Sequence, residues 1–433
     1  MTRTLAALAA ALIATGARAQ TPPAAPPSDA PPAAAPAPAA PAPKKEEAKP
    51  KGTFAIGPKS QIIIQGRAWL EVNNVRADKG IGTVPVHNIS RVSTNSSYLR
   101  VRGERELAYG FKGIAQIEAE VGMDGSGALG TPFTSTRNTF VGLSSPYGEL
   151  SLGKFDSPSK ETTIGRDPFG GTGIFGYYNV FTLYRADRRM NNAIMYETPS
   201  FQGLSGMVAY SMGEAVYTSV GGPLTNPWML NAAVHYKNGP LFVGVAYEYR
   251  NDCANPDKEP TVDASCSTAS LGSAARPSGY DQNIRVGADY TVKETFTKVA
   301  FVYDRVMLEL AKTAAAPELT LNRDAYWGSI TQGLGTNKHQ LILNYGAAGK
   351  YSGKNQPSSV TDKTGAQTFT AAYRYNFDSD LMLYAAVVQI INEDNQTQKI
   401  GSGGVPAVAV GGSWAAPKGS TVTGFGAGIR YMF

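Results

Sequence analysis

Ile62-Ile63-Ile64-Gln65-Gly66-Arg67-Ala68-Trp69-Leu70-Glu71-Val72 sorts its side chains onto two faces with a period of two. Ile62, Ile64, Gly66, Ala68, Leu70 and Val72 share one face, while Ile63, Gln65, Arg67, Trp69 and Glu71 share the other. This is the period of a strand with one apolar and one mixed-polar face, and it is out of phase with a helix. The pattern recurs downstream. Leu99, Val101, Gly103 and Leu107 alternate with Tyr98, Arg100, Arg102, Glu104 and Glu106, and Ala115, Ile117, Ala119 and Val121 alternate with Gln116, Glu118 and Glu120. Alternation alone does not choose between a soluble sandwich and a membrane barrel, because both set an apolar face against a polar one.

The connections discriminate better. Long stretches rich in Gly, Asn, Ser and Pro fall near 74–97, 122–136, 157–190, 213–227, 251–279, 311–323, 347–366 and 392–420. Between them lie short turns near Gly110, Pro146-Tyr147-Gly148, Pro199 to Leu204, Asn238-Gly239, Lys293-Glu294, Gly335-Thr336 and Asp378-Ser379. Eight long loops and seven short turns predict sixteen antiparallel strands. Each strand with its connection then averages about 24 residues, which suits tilted strands of roughly ten residues in a transmembrane barrel. Hydrocarbon offers no hydrogen-bond partner, so strands that cross it must close on one another. At the end of the chain, Phe425, Ala427, Ile429, Tyr431 and Phe433 share one face, as expected of a closing strand whose aromatic end lies at the membrane interface.

Composition agrees with this all-β expectation. The 433 residues include 47 Gly and 22 Tyr but only 17% charged positions, too aromatic and too weakly charged for a disordered chain or a coiled coil. A net charge of +6, with no block of five like charges, argues against nucleic acid as a partner. After the leader, no apolar run of about 18 residues appears, so no helix is expected to cross a membrane. The leader itself has a basic start, the apolar run Leu5 to Ala14 and Ala17-Arg18-Ala19, a secretory signal peptide cut after Ala19. Residues 21–50 hold 11 Pro and 11 Ala, an extended spacer that cannot bury a core. The expected domains are a signal peptide at 1–19, a periplasmic spacer at 20–53 and a barrel at 54–433.

Several stretches together resemble the general, non-specific porins of Gram-negative outer membranes, in particular their neisserial and burkholderial-type branch. They are Leu99-Arg100-Val101-Arg102-Gly103-Glu104 to Leu107, Asn138-Thr139-Phe140-Val141-Gly142-Leu143-Ser144 through Leu152-Gly153-Lys154, and Asp167-Pro168-Phe169-Gly170-Gly171. Asn191-Asn192-Ala193-Ile194-Met195-Tyr196, Phe369 to Asn376, Leu383-Tyr384-Ala385-Ala386 and the terminal Phe433 complete the set, collinear over nearly all of 58–433. The sequence departs from the family pattern at the Ala/Pro spacer, at Tyr98, where the family often has Arg, and at Arg100, where it often has Gly.

The resemblance implies a sixteen-stranded homotrimeric barrel in outer-membrane lipid, with the third long loop, about Asp156 to Arg189, folded into the lumen. It places Glu161, Asp167 and Asp187 on the acidic side of a constriction. Arg67, Arg100 and Arg102, with Arg137 and Lys154, would face them from the wall. Opposed charges across a pore set a transverse field that favours polar solutes. Arg166, Arg185, Arg188 and Arg189 lie in the same loop, so the sign of ion selectivity stays open. Phe433 is the expected assembly signal.

Other signals point to structure rather than chemistry. Gly171-Thr172-Gly173-Ile174-Phe175-Gly176 spells a dinucleotide-binding string without the preceding strand and following helix that such a site needs. His87, His235 and His339 stand apart, with no metal-ligand spacing, and no Gly-x-Ser-x-Gly elbow is present. No catalytic residue, metal or other cofactor is therefore expected. Cys253 and Cys266, paired in number and placed in one loop of an exported chain, are expected to form a disulfide worth roughly 3 kcal/mol. Lys44 to Lys51 is a candidate cell-wall contact. The sequence thus predicts a passive channel for small hydrophilic solutes and ions. A substrate-selective porin is the alternative, and an outer-membrane barrel enzyme or a secreted adhesin are the more distant ones.

Overall fold

The computed structural model describes residues 50–78, 81, 88–125, 132–177, 187–212, 217–218, 224–225, 228–251, 279–310, 317–355, 361–398, 400 and 418–433. Cys253, Cys266, His87 and the leader lie outside the described residues. A short ribbon β1 (Thr53–Gly57) leads into β2 (Ser60–Ala77), β3 (Asn88–Thr94), β4 (Tyr98–Glu106), β5 (Lys112–Val121), β6 (Phe133–Thr136), β7 (Thr139–Ser145) and β8 (Gly148–Asp156). Helix α1 (Pro158–Ile164) precedes β9 (Arg189–Glu197), β10 (Leu204–Met212), and a small separate hairpin of β11 (Tyr217–Thr218) and β12 (Leu224–Thr225). The wall continues with β13 (Trp228–Asn238), β14 (Leu241–Asn251), β15 (Gly279–Val292), β16 (Thr297–Leu310) and β17 (Leu319–Gly333). It ends with β18 (His339–Ala348), β19 (Ala366–Asn376), β20 (Leu381–Asn392) and β21 (Thr421–Met432).

These strands form sixteen antiparallel staves. β3 and β4 run on as one stave along β2, and β6 and β7 as another along β5. The wall closes where β2 pairs with β21, from Arg67 opposite Met432 to Ala77 opposite Val422. The last residue seals this seam, since Phe433 exchanges backbone hydrogen bonds with Gly66 at 2.8 and 3.1 Å. Its ring lies where a side chain at Gly66 would be, because a Cβ there would fall 2.2 Å from the ring. Glycine is what that close approach requires.

Side-chain burial is inverted relative to a soluble protein. Along β18, Leu341, Leu343 and Tyr345 are exposed on one face, while Gln340 and Asn344 are buried on the other. Leu343 is 59% exposed, whereas Arg285 on β15 and Asp304 on β16 are 0% exposed. Apolar groups pointing outward and charges pointing inward make a stable arrangement when the surroundings are hydrocarbon. Among the described residues no helix is long and apolar enough to cross a membrane.

All seven short turns fall where the sequence places them. Three long connections begin or end differently. β3 lies inside the expected loop 74–97, β6 inside 122–136, and β17 starts inside 311–323. Staves that continue past the hydrocarbon keep their backbone pairing but lose the apolar face, so the alternation that marks them in sequence fades there.

Candidate functional site

The segment after β8 is rooted by charge. Asp156 receives Lys160 at 2.9 Å and Arg189 at 3.2 Å, one from each end of the excursion. Ser157 caps α1, its hydroxyl accepting from the Lys160 N–H, and Pro158 occupies the first turn, where no backbone donor is missed. The helix then docks against the inner face of β13 to β15. Asn231 Oδ1 accepts from the Ser159 N–H and hydroxyl at 3.0 and 3.1 Å, and Thr162 Oγ1 lies 2.8 Å from His235 Nε2. Gly287 on β15 leaves room for the helix backbone, since a Cβ there would sit 2.3 Å from the Thr162 carbonyl oxygen. Arg166 donates to Asp289 at 2.7 Å and stacks 3.6 Å over Phe242.

The tip of the segment reaches another part of the wall. Phe169, Ile174 and Phe175 are buried in one apolar cluster with Trp69, Tyr384, Val388 and Val422 of β2, β20 and β21. Phe169 and Phe175 meet the Tyr384 ring edge-on at 5.5 and 6.1 Å. The glycine-rich string 171–176 is thus an apolar wedge with tight backbone turns, Gly171 and Gly173 having φ of 63° and 73°. The segment is attached to the wall at two separate places, β13 to β15 and β20 to β2.

Glu161 lines a cavity of about 760 Å³ together with Arg100, Arg102, Arg166, Lys298 and Asp289. Acid from the loop and base from the wall therefore meet in one space. Burial, then the nearby Asp156 charge, pushes the Glu161 carboxyl up to about 7. Because the folded protein holds this proton more tightly than a free carboxyl, the group's contribution to stability falls as pH rises from about 4.5 to 7. In the folded protein the lumen gains this negative charge as pH rises through about 7. In bilayer recordings, anion preference will decrease between pH 6 and 8, and Glu161→Gln will abolish that step. An unchanged pH profile in the variant would exclude Glu161 as the titrating group.

The other expected acids behave differently. Asp167 is buried, and its carboxylate accepts the backbone N–H groups of Phe169, Gly171 and Tyr177 at 2.8 to 3.0 Å. It pins the tip rather than offering a free charge to the pore, and burial pushes it up to about 6 despite those donors. Asp187 is 5% exposed and does not line the cavity of Glu161. Lys154 shares the phase of the exposed Leu150 and Leu152 on β8 and is not among the described residues lining that cavity. Alternation fixes a strand face but not where a loop carboxylate turns, nor where a register shift falls, as at Gly153 to Phe155.

Arg100 and Arg102 carry acidic partners, Glu118 and Glu104, at 2.7 and 2.8 Å. Arg137 bridges to Glu118 and Glu120. Arg67 differs, donating to the carbonyl of Ser96 and stacking on Trp69 and Tyr98. Ser96 exposes that carbonyl at a bulge between β3 and β4, where it takes a left-handed φ of 52°. Two further arginines join it. Arg430 on β21 stands opposite Trp69 and lies 5.6 Å over the same ring, its buried Nε without a hydrogen-bond partner among the described residues. Arg374 on β19 donates to Gln340 and to the Pro168 carbonyl at the loop tip. Among the described residues none of the three makes an ion pair with a carboxylate. Arg430 was legible from its place between Ile429 and Tyr431, and Arg374 from its place after Tyr373. Their grouping with Arg67 depends on barrel closure.

A profile of the family described as Gram-negative porin matches residues 4–396. The chain is 26% identical over 356 residues to outer membrane porin protein 32 of Delftia acidovorans, covering 80% of this chain and 87% of that one. It is 28% identical over 158 residues to the major outer membrane protein P.IB of Neisseria meningitidis serogroup A, covering 36% of this chain and 44% of the relative. Among solved structures, the anion-selective porin from Comamonas acidovorans superposes with a TM-score of 0.64 at 22% identity, covering 87% of this chain and all of that one.

Proposed function

Because the chain belongs to the Gram-negative porin family, we propose that its barrel is a passive diffusion channel of the neisserial and burkholderial-type branch, with a preference for small hydrophilic anions. The observation that carries the preference is the row Arg67, Arg374 and Arg430 on the inner wall, held by neutral acceptors and aromatic rings instead of carboxylates. A fixed cationic wall beside a narrowed lumen raises the local concentration of anions and repels cations. Conduction of this kind needs no catalytic group. The relatives from Delftia and Neisseria support the branch, and the name of the Comamonas structure supports the sign of the selectivity.

Purified protein in a planar bilayer tests the proposal. Stepwise openings in KCl, with a reversal potential displaced toward that of chloride, are the expected result. Absence of conductance would defeat the channel, and a cation-selective reversal potential would defeat the anion preference. Within the same proposal the protein is exported behind leader 1–19 and works as a homotrimer in outer-membrane lipid, with Lys44 to Lys51 contacting the cell wall. Chemical crosslinking and cell-wall co-sedimentation of a chain lacking residues 21–50 test those parts.

A further inference from the structure

A second cavity, of about 920 Å³, lies on the short-turn side of the loop tip and combines two features that a plain aqueous vestibule does not need. Its charge is one-sided. Arg166, Lys293, Lys298, Lys338 and Arg374 line it, against the acids Asp167 and Asp378. Both acids are already engaged, Asp167 by three backbone N–H groups and Asp378 by those of Asp380 and Leu381. Arg166 is neutralised by Asp289, which Lys298 also approaches at 3.6 Å. Among the described residues Arg374 has amide and carbonyl acceptors only. No ion pair involves Lys293 or Lys338 among the described residues.

The second feature is aromatic. Phe296 and Phe377 line the same cavity, the Phe377 ring meeting Tyr375 edge-on at 4.7 Å. Phe296 is held in place by its turn, with a left-handed φ of 53° and its carbonyl accepting the Gly333 N–H at 2.9 Å. A Cβ at Gly333 would come 2.5 Å from the Phe296 Cβ, so the neighbouring stave leaves space for this residue. Phenyl rings that line a water-filled cavity are costly unless a solute covers them. Gln340, Asn337 and Asn376 add neutral hydrogen-bonding groups to the same lining.

We propose that this vestibule is a subsite for aryl carboxylates, the carboxylate taken by Arg374 and Lys338 and the ring by Phe296 and Phe377. Cationic donors recognise the carboxylate by charge-assisted hydrogen bonds, and ring pairs add contact energy that an aliphatic acid of the same charge does not obtain. The inference rests on the channel reading above and specifies a solute class for it.

Single channels are recorded first in KCl alone and then with acetate, benzoate or benzamide added on the short-turn side. Benzoate is expected to reduce the current at concentrations roughly three- to tenfold below those needed for acetate. Benzamide, with the ring but no charge, is expected to need at least as much as acetate. Phe296→Leu/Phe377→Leu should bring benzoate to the level of acetate without changing the KCl conductance, which also reports that the variant has folded. Lys338→Gln should weaken both acids together. Equal effects of benzoate and acetate on the native channel, or a benzoate advantage that survives the leucine pair, would overturn the subsite while leaving the channel intact. No conductance in KCl would overturn the channel and the subsite with it.

Discussion

Replacing Gly287 with valine will raise the single-channel conductance about twofold, because a helical element roughly 10 Å across will no longer be held against the lumen wall. Gly287 sits in β15, where an added Cβ would be 2.3 Å from the carbonyl oxygen of Thr162 and 3.3 Å from its carbon. Those are backbone atoms of α1, so no side-chain rotation relieves the clash. Valine suits a strand, and the β15 pairings with β14 and β16 do not depend on the missing side chain. The barrel is therefore expected to form while the helix is displaced, losing the contacts of Ser159 with Asn231 and of Thr162 with His235. Each of these hydrogen bonds is worth only about 1 kcal/mol, too little to hold α1 against a backbone clash that no rotamer relieves. Gly328→Ala provides the control, since a Cβ there would meet the Ala300 carbonyl at an ordinary 3.6 Å. A Gly287→Val channel with the parent conductance would show that α1 does not limit the pore.

Neutralising Arg67, Arg374 and Arg430 together to glutamine will lower the chloride-to-potassium permeability ratio about three- to tenfold. At roughly 8 Å in water one unit charge contributes about 0.5 kcal/mol to the energy of a passing ion. Three such charges sum to about 1.5 kcal/mol in unscreened water, close to the ~1.4 kcal/mol of a tenfold change, and salt screening lowers it. The effect should be larger in 0.1 M than in 1 M KCl, because screening shortens from about 10 Å to 3 Å. The matching lysine triple variant keeps the charge while losing the stacking on Trp69 and Tyr98, so it should retain the native ratio. Equal ratios in the native and glutamine channels would place the origin of selectivity elsewhere. Replacing the paired Arg100 and Arg102 should change the ratio less, because Glu118 and Glu104 already offset them.

The chain's own pattern was enough for the barrel. Alternation such as that of Ile62 to Val72, together with seven tight turns and the apolar outer face of Phe425 to Phe433, predicts sixteen antiparallel staves, and these are observed. Period-two alternation survives in sequence because hydrocarbon outside and water inside select opposite residue types at every step through the membrane. The same logic puts Arg67, Arg100 and Arg102 on the polar face of their strands, and Arg100 and Arg102 line a cavity with Glu161.

Tertiary structure alone decided which of these charges are free to act. Asp167 carries the same formal charge as Glu161, yet three backbone N–H groups converge on its carboxylate. Arg374 and Arg430 lie more than three hundred positions from Trp69 and become neighbours of Arg67 only because β21 closes onto β2. Local sequence determines the face on which a side chain stands, since that depends on backbone geometry a few residues long. Whether a charge is paired, buried or open to a solute depends on contacts between distant staves and an excursion of the chain across them, and no local pattern encodes those distances.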